Sequence, residues 1–251
     1  MATTKRLTKR EKRILRQNNE LDENDKPIFT SPNFKLANVH PITENQRKTF
    51  QAFADGKHLM LHGMAGTGKT FVSLYLALNE LMSGEGKQNK IFIIRSVVPT
   101  RDMGFLPGNQ KEKTKVYEAP YIAICTELYR RGDAYEVLKQ KGAIEFMSTS
   151  FVRGTTLNDC YVIVDEINNM TFHELDSVIT RIGKNCRVLF CGDFRQSDLT
   201  KDQERNGLRD FIKIVNKLSD FEYIDFREED IVRSKLVKEY IIAREKLGLQ
   251  A

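Results

Sequence analysis

The chain contains no tryptophan, and only 6 prolines and 15 glycines among its 251 residues. So little Gly and Pro excludes a collagen-like or low-complexity chain. No apolar run reaches the roughly 18 residues that a membrane-spanning helix needs. The charged N-terminus has no apolar stretch behind it, so it does not read as a secretory signal. Cysteine is scarce: Cys125, Cys160, Cys186 and Cys191, without C-x-x-C spacing. Three of the four lie on or beside apolar, strand-like runs. Small buried thiols in a reducing cytoplasm are expected, not metal ligands or disulfides.

What is present is a core and an unevenly placed charge. Hydrophobic residues make up 40% of the chain, enough to bury a sizeable interior. The net charge of +6 sits at one end. Lys5, Arg6, Lys9, Arg10, Lys12, Arg13 and Arg16 face a single acid, Glu11, within residues 1–16. Of the 40 basic and 34 acidic residues, 33 of each remain beyond that segment, so the body is formally neutral. Residues 1–26 read as a basic, poorly ordered arm that either grazes nucleic acid or aids solubility. Residues 27–251 read as a single domain.

Apolar runs of strand length recur at His58–His62, Lys90–Ser96, Ile144–Met147, Cys160–Val164, Arg187–Cys191 and Glu222–Phe226. Stretches of helical spacing, such as Thr70–Leu81 and Phe172–Ile182, lie between most of them. This alternation predicts an α/β fold, a mostly parallel sheet with helices on both faces. Tyr161–Val164 and Val188–Phe190 are apolar at every position, as strands covered on both faces are.

Four motifs carry chemistry. The first is Gly63-Met64-Ala65-Gly66-Thr67-Gly68-Lys69-Thr70, which satisfies G-x-x-x-x-G-K-[ST] between an apolar run and a helical run. Its glycines let several backbone N–H groups point at one phosphate, and the helix N-terminus behind adds a positive dipole end. Lys69 can reach the β- and γ-phosphates, and the Thr70 hydroxyl can ligate Mg²⁺. The second is Tyr161–Val164 ending in Asp165 and Glu166. Asp165 is expected to hold Mg²⁺ and Glu166 to act as general base on the attacking water. The third is Gly192-Asp193-Phe194-Arg195-Gln196, where Gln196 is placed to bond the γ-phosphate or the water. The fourth is Ile42-Thr43-Glu44-Asn45-Gln46. Thr43 and Gln46 fit a helix capping box, and the Gln46 amide also fits adenine N6 and N7 together, which selects ATP over GTP. The two readings compete for one side chain.

The order of these elements resembles the first motor domain of superfamily-one helicases, a P-loop NTPase core of RecA type. Gly104–Gly108, Phe151–Asp159, Gly192–Gln196, Asp198-Leu199 and Asp230-Ile231-Val232-Arg233 narrow the resemblance to the PhoH family over residues 40–245. These are ATPases related to phosphate-starvation proteins and common in bacteriophages. Two positions depart from the family pattern: Arg95-Ser96 stands where Arg-Pro is usual, and Ile167-Asn168 where a small residue and Gln are usual. The resemblance implies ATP and Mg²⁺ as cofactors and a cytoplasmic location, that of a bacterial host if phage-encoded. It also implies a homo-oligomeric, hexameric ring and single-stranded RNA or DNA as partner. A single motor domain needs its arginine finger from a neighbour, with Arg233 first in rank, then Arg153 and Arg181. Val98–Tyr117, with its basic residues and with Phe105 and Tyr117, is a candidate pore-lining segment. A ring acting on protein or in signalling is the alternative. A small-molecule kinase fits less well, because kinases exclude the water that Glu166 would activate.

Overall fold

The computed structural model describes residues 34–84, 86–97, 110–193 and 202–248, with the side chains of 110–114 and 202–206 outside that description. Among the described residues six strands form one sheet: β1 His58–Gly63, β2 Lys90–Arg95, β3 Ile144–Ser148, β4 Cys160–Asp165, β5 Arg187–Gly192 and β6 Phe221–Phe226. Every pairing is parallel, and the order is β3-β2-β4-β5-β1-β6. All six expected runs are strands, each differing by one residue at one end.

The residue pattern explains why both faces are covered. Side chains alternate across a strand, so successive residues of β4 serve different layers. Tyr161 and Ile163 join Leu59, Leu61, Ile91, Ile93, Leu189 and Cys191 in one core cluster. Val162 and Val164 join Met60, Ile94, Val188 and Phe190 in the other. Helices α1 Glu44–Ala54, α2 Lys69–Ser83, α3 Gln110–Tyr129 and α4 Ala134–Gln140 contribute to the first cluster. The short α5 Thr149–Val152, α6 Phe172–Ile179 and α7 Asp202–Val215 contribute to the second. Each fully buried Val, Ile or Leu adds about 1.5–3 kcal/mol to the stability of this arrangement.

The last helix, α8 Lys235–Lys246, packs elsewhere. Its Ile241 meets Ile231 and Met64 in a small separate cluster, which ties the C-terminal segment to the loop after β1.

The candidate pore-lining segment Val98–Tyr117 runs into helix α3, of which Gln110–Tyr117 are the first residues. The period was hidden for a physical reason. Its buried face is carried by Glu118, Tyr121, Cys125 and Leu128, a charge, a phenol and a thiol among them. Pro120 also lies inside the helix, where it removes an N–H donor. Residues 98–109 lie outside the described residues, as does the arm of residues 1–26. All four cysteines are buried free thiols. Among the described residues no helix is long and apolar enough to cross a membrane.

Candidate nucleotide site

In parallel α/β sheets, ligands gather outside the carboxyl ends of the strands. Here β1, β5 and β4 are consecutive neighbours, so the turns that follow them meet at one edge. Those turns hold the phosphate-loop motif, Asp193 and the Asp165–Glu166 pair.

Glycine is required at the mouth of the loop. Gly63 has φ +121°, and a Cβ there would lie 2.0 Å from the Phe226 carbonyl oxygen on β6. Met64 N–H then donates to that same carbonyl at 3.0 Å. Beyond Ala65, Gly66 and Thr67, Gly68 caps the start of α2. Thr67 Oγ1 donates to the Met64 carbonyl, so the loop is held by its own groups.

Lys69 is folded under this loop. Its Nζ donates to the Gly63 carbonyl at 2.7 Å and to the Met64 carbonyl at 2.8 Å. Burial lowers its pKa, against the pull of Asp193, Cys191, Glu166 and Asp165. The lysine thus lies folded back onto the carbonyl oxygens of the loop.

Thr70 and Asp165 lie 95 residues apart in sequence, yet Thr70 Oγ1 donates to Asp165 Oδ1 at 2.8 Å. The other carboxylate oxygen, Oδ2, accepts from Tyr121 Oη at 2.8 Å. Burial and the Asp165 charge push the Tyr121 phenol well above its ordinary pKa, so it stays a donor. A hydroxyl facing a carboxylate, both oxygen ligands, is a donor set suited to Mg²⁺.

Glu166 follows at once, with φ +54°. That left-handed conformation costs a non-glycine residue about 1–2 kcal/mol and turns the chain sharply off the strand. Burial raises the Glu166 pKa, Asp165 raises it further, and Arg95, Asn168 and Lys69 oppose the shift. Asn168, one of the two departures from the family pattern, is buried and its Oδ1 accepts from Asp193 N–H at 3.2 Å. It links the acidic turn to the end of β5. Arg95, the residue before the other departure, is aligned with Asp165 across the β2–β4 pair and lies over the Tyr117 ring at 5.9 Å.

Gln46 is buried beside the loop. Its Nε2 donates to the Thr67 carbonyl at 3.2 Å, and its Oε1 accepts from Ile42 N–H at 2.9 Å. Thr43 caps α1 as expected, accepting from Gln46 N–H, but the Gln46 side chain reaches Ile42 rather than closing a capping box on Thr43. Asn45 beside it donates to Asp230 Oδ2 at 2.7 Å and so fastens α1 to the segment carrying Arg233.

Arg233 lies against the loop of its own chain. A Cβ on Gly66 would meet Arg233 Cγ at 2.9 Å and Nε at 3.5 Å. Val232 N–H donates to the Gly66 carbonyl at 3.0 Å. Arg153 is exposed just after α5, which follows the carboxyl end of the outer strand β3. Arg181 lies at the opposite edge of the sheet, where its carbonyl accepts from Leu157 N–H ahead of β4. Gln196 and Phe105 lie outside the described residues.

The structure therefore brings Gln46, Gly63–Thr70, Asp165, Glu166 and Arg233 to one place. Sequence reasoning missed Tyr121, which belongs to no motif. It noted Asn168 only as a departure.

A family model described as PhoH-like protein matches residues 38–245. The chain is 33% identical over 216 residues to a PhoH-like protein of Bacillus subtilis, covering 85% of this chain and 66% of the relative. It is 33% identical over 211 residues to a PhoH-like protein of Mycobacterium leprae, covering 82% and 58%. The chain thus spans about three fifths of the length of the curated relatives it matches. Among solved structures it is similar to the large terminase of a thermophilic bacteriophage, at TM-score 0.47 and 13% identity over 80% of this chain and 50% of that one. It is also similar to Pif1 helicase from Candida albicans, at TM-score 0.41 and 17% identity over 84% and 44%.

Proposed function

The chain belongs to the PhoH-like protein family, and from that premise and the site geometry we propose an ATPase that works as a ring on single-stranded RNA or DNA in the bacterial cytoplasm. The observation that carries the hydrolytic part is the Thr70–Asp165 hydrogen bond with Glu166 beside it. A phosphate loop alone only binds. A loop hydroxyl joined to a strand-end carboxylate, next to a second carboxylate of raised pKa, is equipped to hold a metal and take a proton.

Each residue then has a task. The Gln46 amide uses one hydrogen and one lone pair internally, so each group retains one further bond. That pair fits the N6 donor and N7 acceptor of adenine; guanine offers two acceptors there and fits poorly. Backbone N–H groups of residues 64–69 and the start of α2 cradle the phosphates. Lys69 leaves the Gly63 and Met64 carbonyls for the β- and γ-phosphate oxygens. Thr70 and Asp165 would hold magnesium, which when bound offsets charge across those phosphates. Glu166 takes the proton of the attacking water, and Gln196 orients that water.

Arg233 is close enough to its own loop to contact a γ-phosphate in cis. Arg153, exposed on the same edge of the sheet, is then the candidate for a neighbour's site. A mixture of Arg233→Ala and Lys69→Ala subunits separates cis from trans. Each variant alone should be inactive. If Arg233 works in cis, mixed assemblies contain no complete site and should stay inactive. Recovery of turnover on mixing would assign Arg233 to the neighbour's site instead.

The nucleic-acid part rests on the basic arm and on the family. ATP turnover should rise with single-stranded RNA or DNA in a panel of polynucleotides. Deleting residues 1–26 should leave basal turnover intact, since the phosphate-handling motifs lie beyond residue 40. It should also flatten the log–log salt dependence of binding by about 0.7 for each phosphate that the arm neutralises on a single strand. Rates indifferent to every polynucleotide would favour a ring acting on protein.

A further inference from the structure

We propose that Tyr121 is a positioning residue for the metal site, fixing the Asp165 carboxylate through its phenol. The inference rests on the reading of Thr70 and Asp165 as metal-holding groups, and extends it to a residue outside every nucleotide motif.

The geometry is specific. Tyr121 is fully buried, and its Oη donates to Asp165 Oδ2 at 2.8 Å. Asp165 Oδ1 is taken by Thr70 on the opposite side. With a donor on each oxygen, rotation of the carboxylate about its terminal bond would break both bonds. One oxygen is thereby kept on the phosphate-loop hydroxyl, where a cation bridging loop and strand would sit. Without the phenol, only Thr70 restrains the group, and a cation competes directly for that restraint.

The donor is itself held. One turn before Tyr121, the buried Glu118 accepts from Tyr135 Oη at 2.7 Å and from Lys139 Nζ at 2.5 Å, clamping α3 to α4. At the same end of α3, Tyr117 lies under the Arg95 guanidinium. Arg95 is aligned with Asp165 across the sheet, so α3 is fastened on both sides of the phenol. A buried phenol needs a hydrogen-bond partner, and the partner of Tyr121 is the carboxylate that faces the phosphate-loop hydroxyl. Groups that orient a ligand in this way typically control metal affinity by about 10–100-fold.

The test uses Tyr121→Phe, which deletes one oxygen, with Tyr135→Phe as control. The control removes the other buried tyrosine–carboxylate bond of α3, while Lys139 still holds Glu118 and Asp165 keeps both of its own donors. Mn²⁺ binding is followed by electron paramagnetic resonance in the presence of ADP, and the Mg²⁺ dependence of ATP turnover is measured beside it. Tyr121→Phe should weaken Mn²⁺ binding about 10-fold or more and raise the Mg²⁺ concentration for half-maximal turnover. ADP binding without metal should stay as in the wild type, and Tyr135→Phe should bind Mn²⁺ normally. Unchanged or tighter Mn²⁺ binding by Tyr121→Phe would overturn the proposal. So would failure of Tyr121→Phe to fold while Tyr135→Phe folds. If the wild type itself binds no Mn²⁺ with ADP, the reading of Thr70 and Asp165 falls first.

Discussion

Lys69→Ala is expected to abolish ATP turnover. The lysine is the cation of the phosphate loop, and its Nζ already rests on the Gly63 and Met64 carbonyls at the loop's inner wall. On the proposed reading it would leave those oxygens for phosphate oxygens. Burial disfavours its charge in the free protein, and phosphate would relieve that cost. Its contribution should therefore appear on binding rather than in the free fold. Ligand-induced stabilisation gives a second readout. At 100 times its dissociation constant, a ligand adds about 2.7 kcal/mol to wild-type stability. The variant should gain far less from ATP and Mg²⁺ at the same concentrations. Turnover near wild type would place the nucleotide elsewhere on the molecule.

Much of this site was legible in sequence because three of the four motifs end a strand. Leu59–Leu61, Tyr161–Val164 and Val188–Phe190 are apolar throughout, and only a sheet covered on both faces accommodates them. Parallel strands put their carboxyl ends on one edge, so Lys69, Asp165 and Asp193 had to meet there. What stayed hidden depends on contacts far apart in the chain. Tyr121 lies 44 residues before Asp165, on a helix whose apolar period is broken by Glu118 and Pro120. Nothing local marks its phenol as a partner of a carboxylate. Arg233 was visible as a motif residue, but its distance to Gly66 depends on Ile231 and Ile241 packing onto Met64. Sequence spacing carries no information on which chain's loop such an arginine reaches. Asn168 reads as a loss of the family's usual glutamine, yet it opposes the raised pKa of Glu166 and bonds the Asp193 backbone. The shorter amide still bridges two motifs because the Glu166 turn brings it there.

Glu166→Gln is expected to keep ATP binding and to slow turnover by at least ~100-fold, the usual scale of lost general-base help. Gln preserves the size of the side chain and the backbone turn but cannot accept the water's proton. The pH profile makes the assignment specific. Burial, with Asp165 next in weight, raises the Glu166 pKa, so its ionised, working form appears at higher pH than that of an ordinary glutamate. Wild-type turnover should climb with pH through that raised value, and this acid limb should vanish in the variant. Stability follows with a definite sign. A carboxyl with a raised folded-state pKa costs nothing extra below its unfolded pKa. The cost grows as pH rises towards the folded value and is complete above it. Glu166→Gln removes that cost, so its unfolding temperature relative to wild type should increase from acid to neutral pH. Loss of ATP binding would make Glu166 a structural or metal-holding group. An acid limb that survives in Glu166→Gln would show that Glu166 is not the proton acceptor.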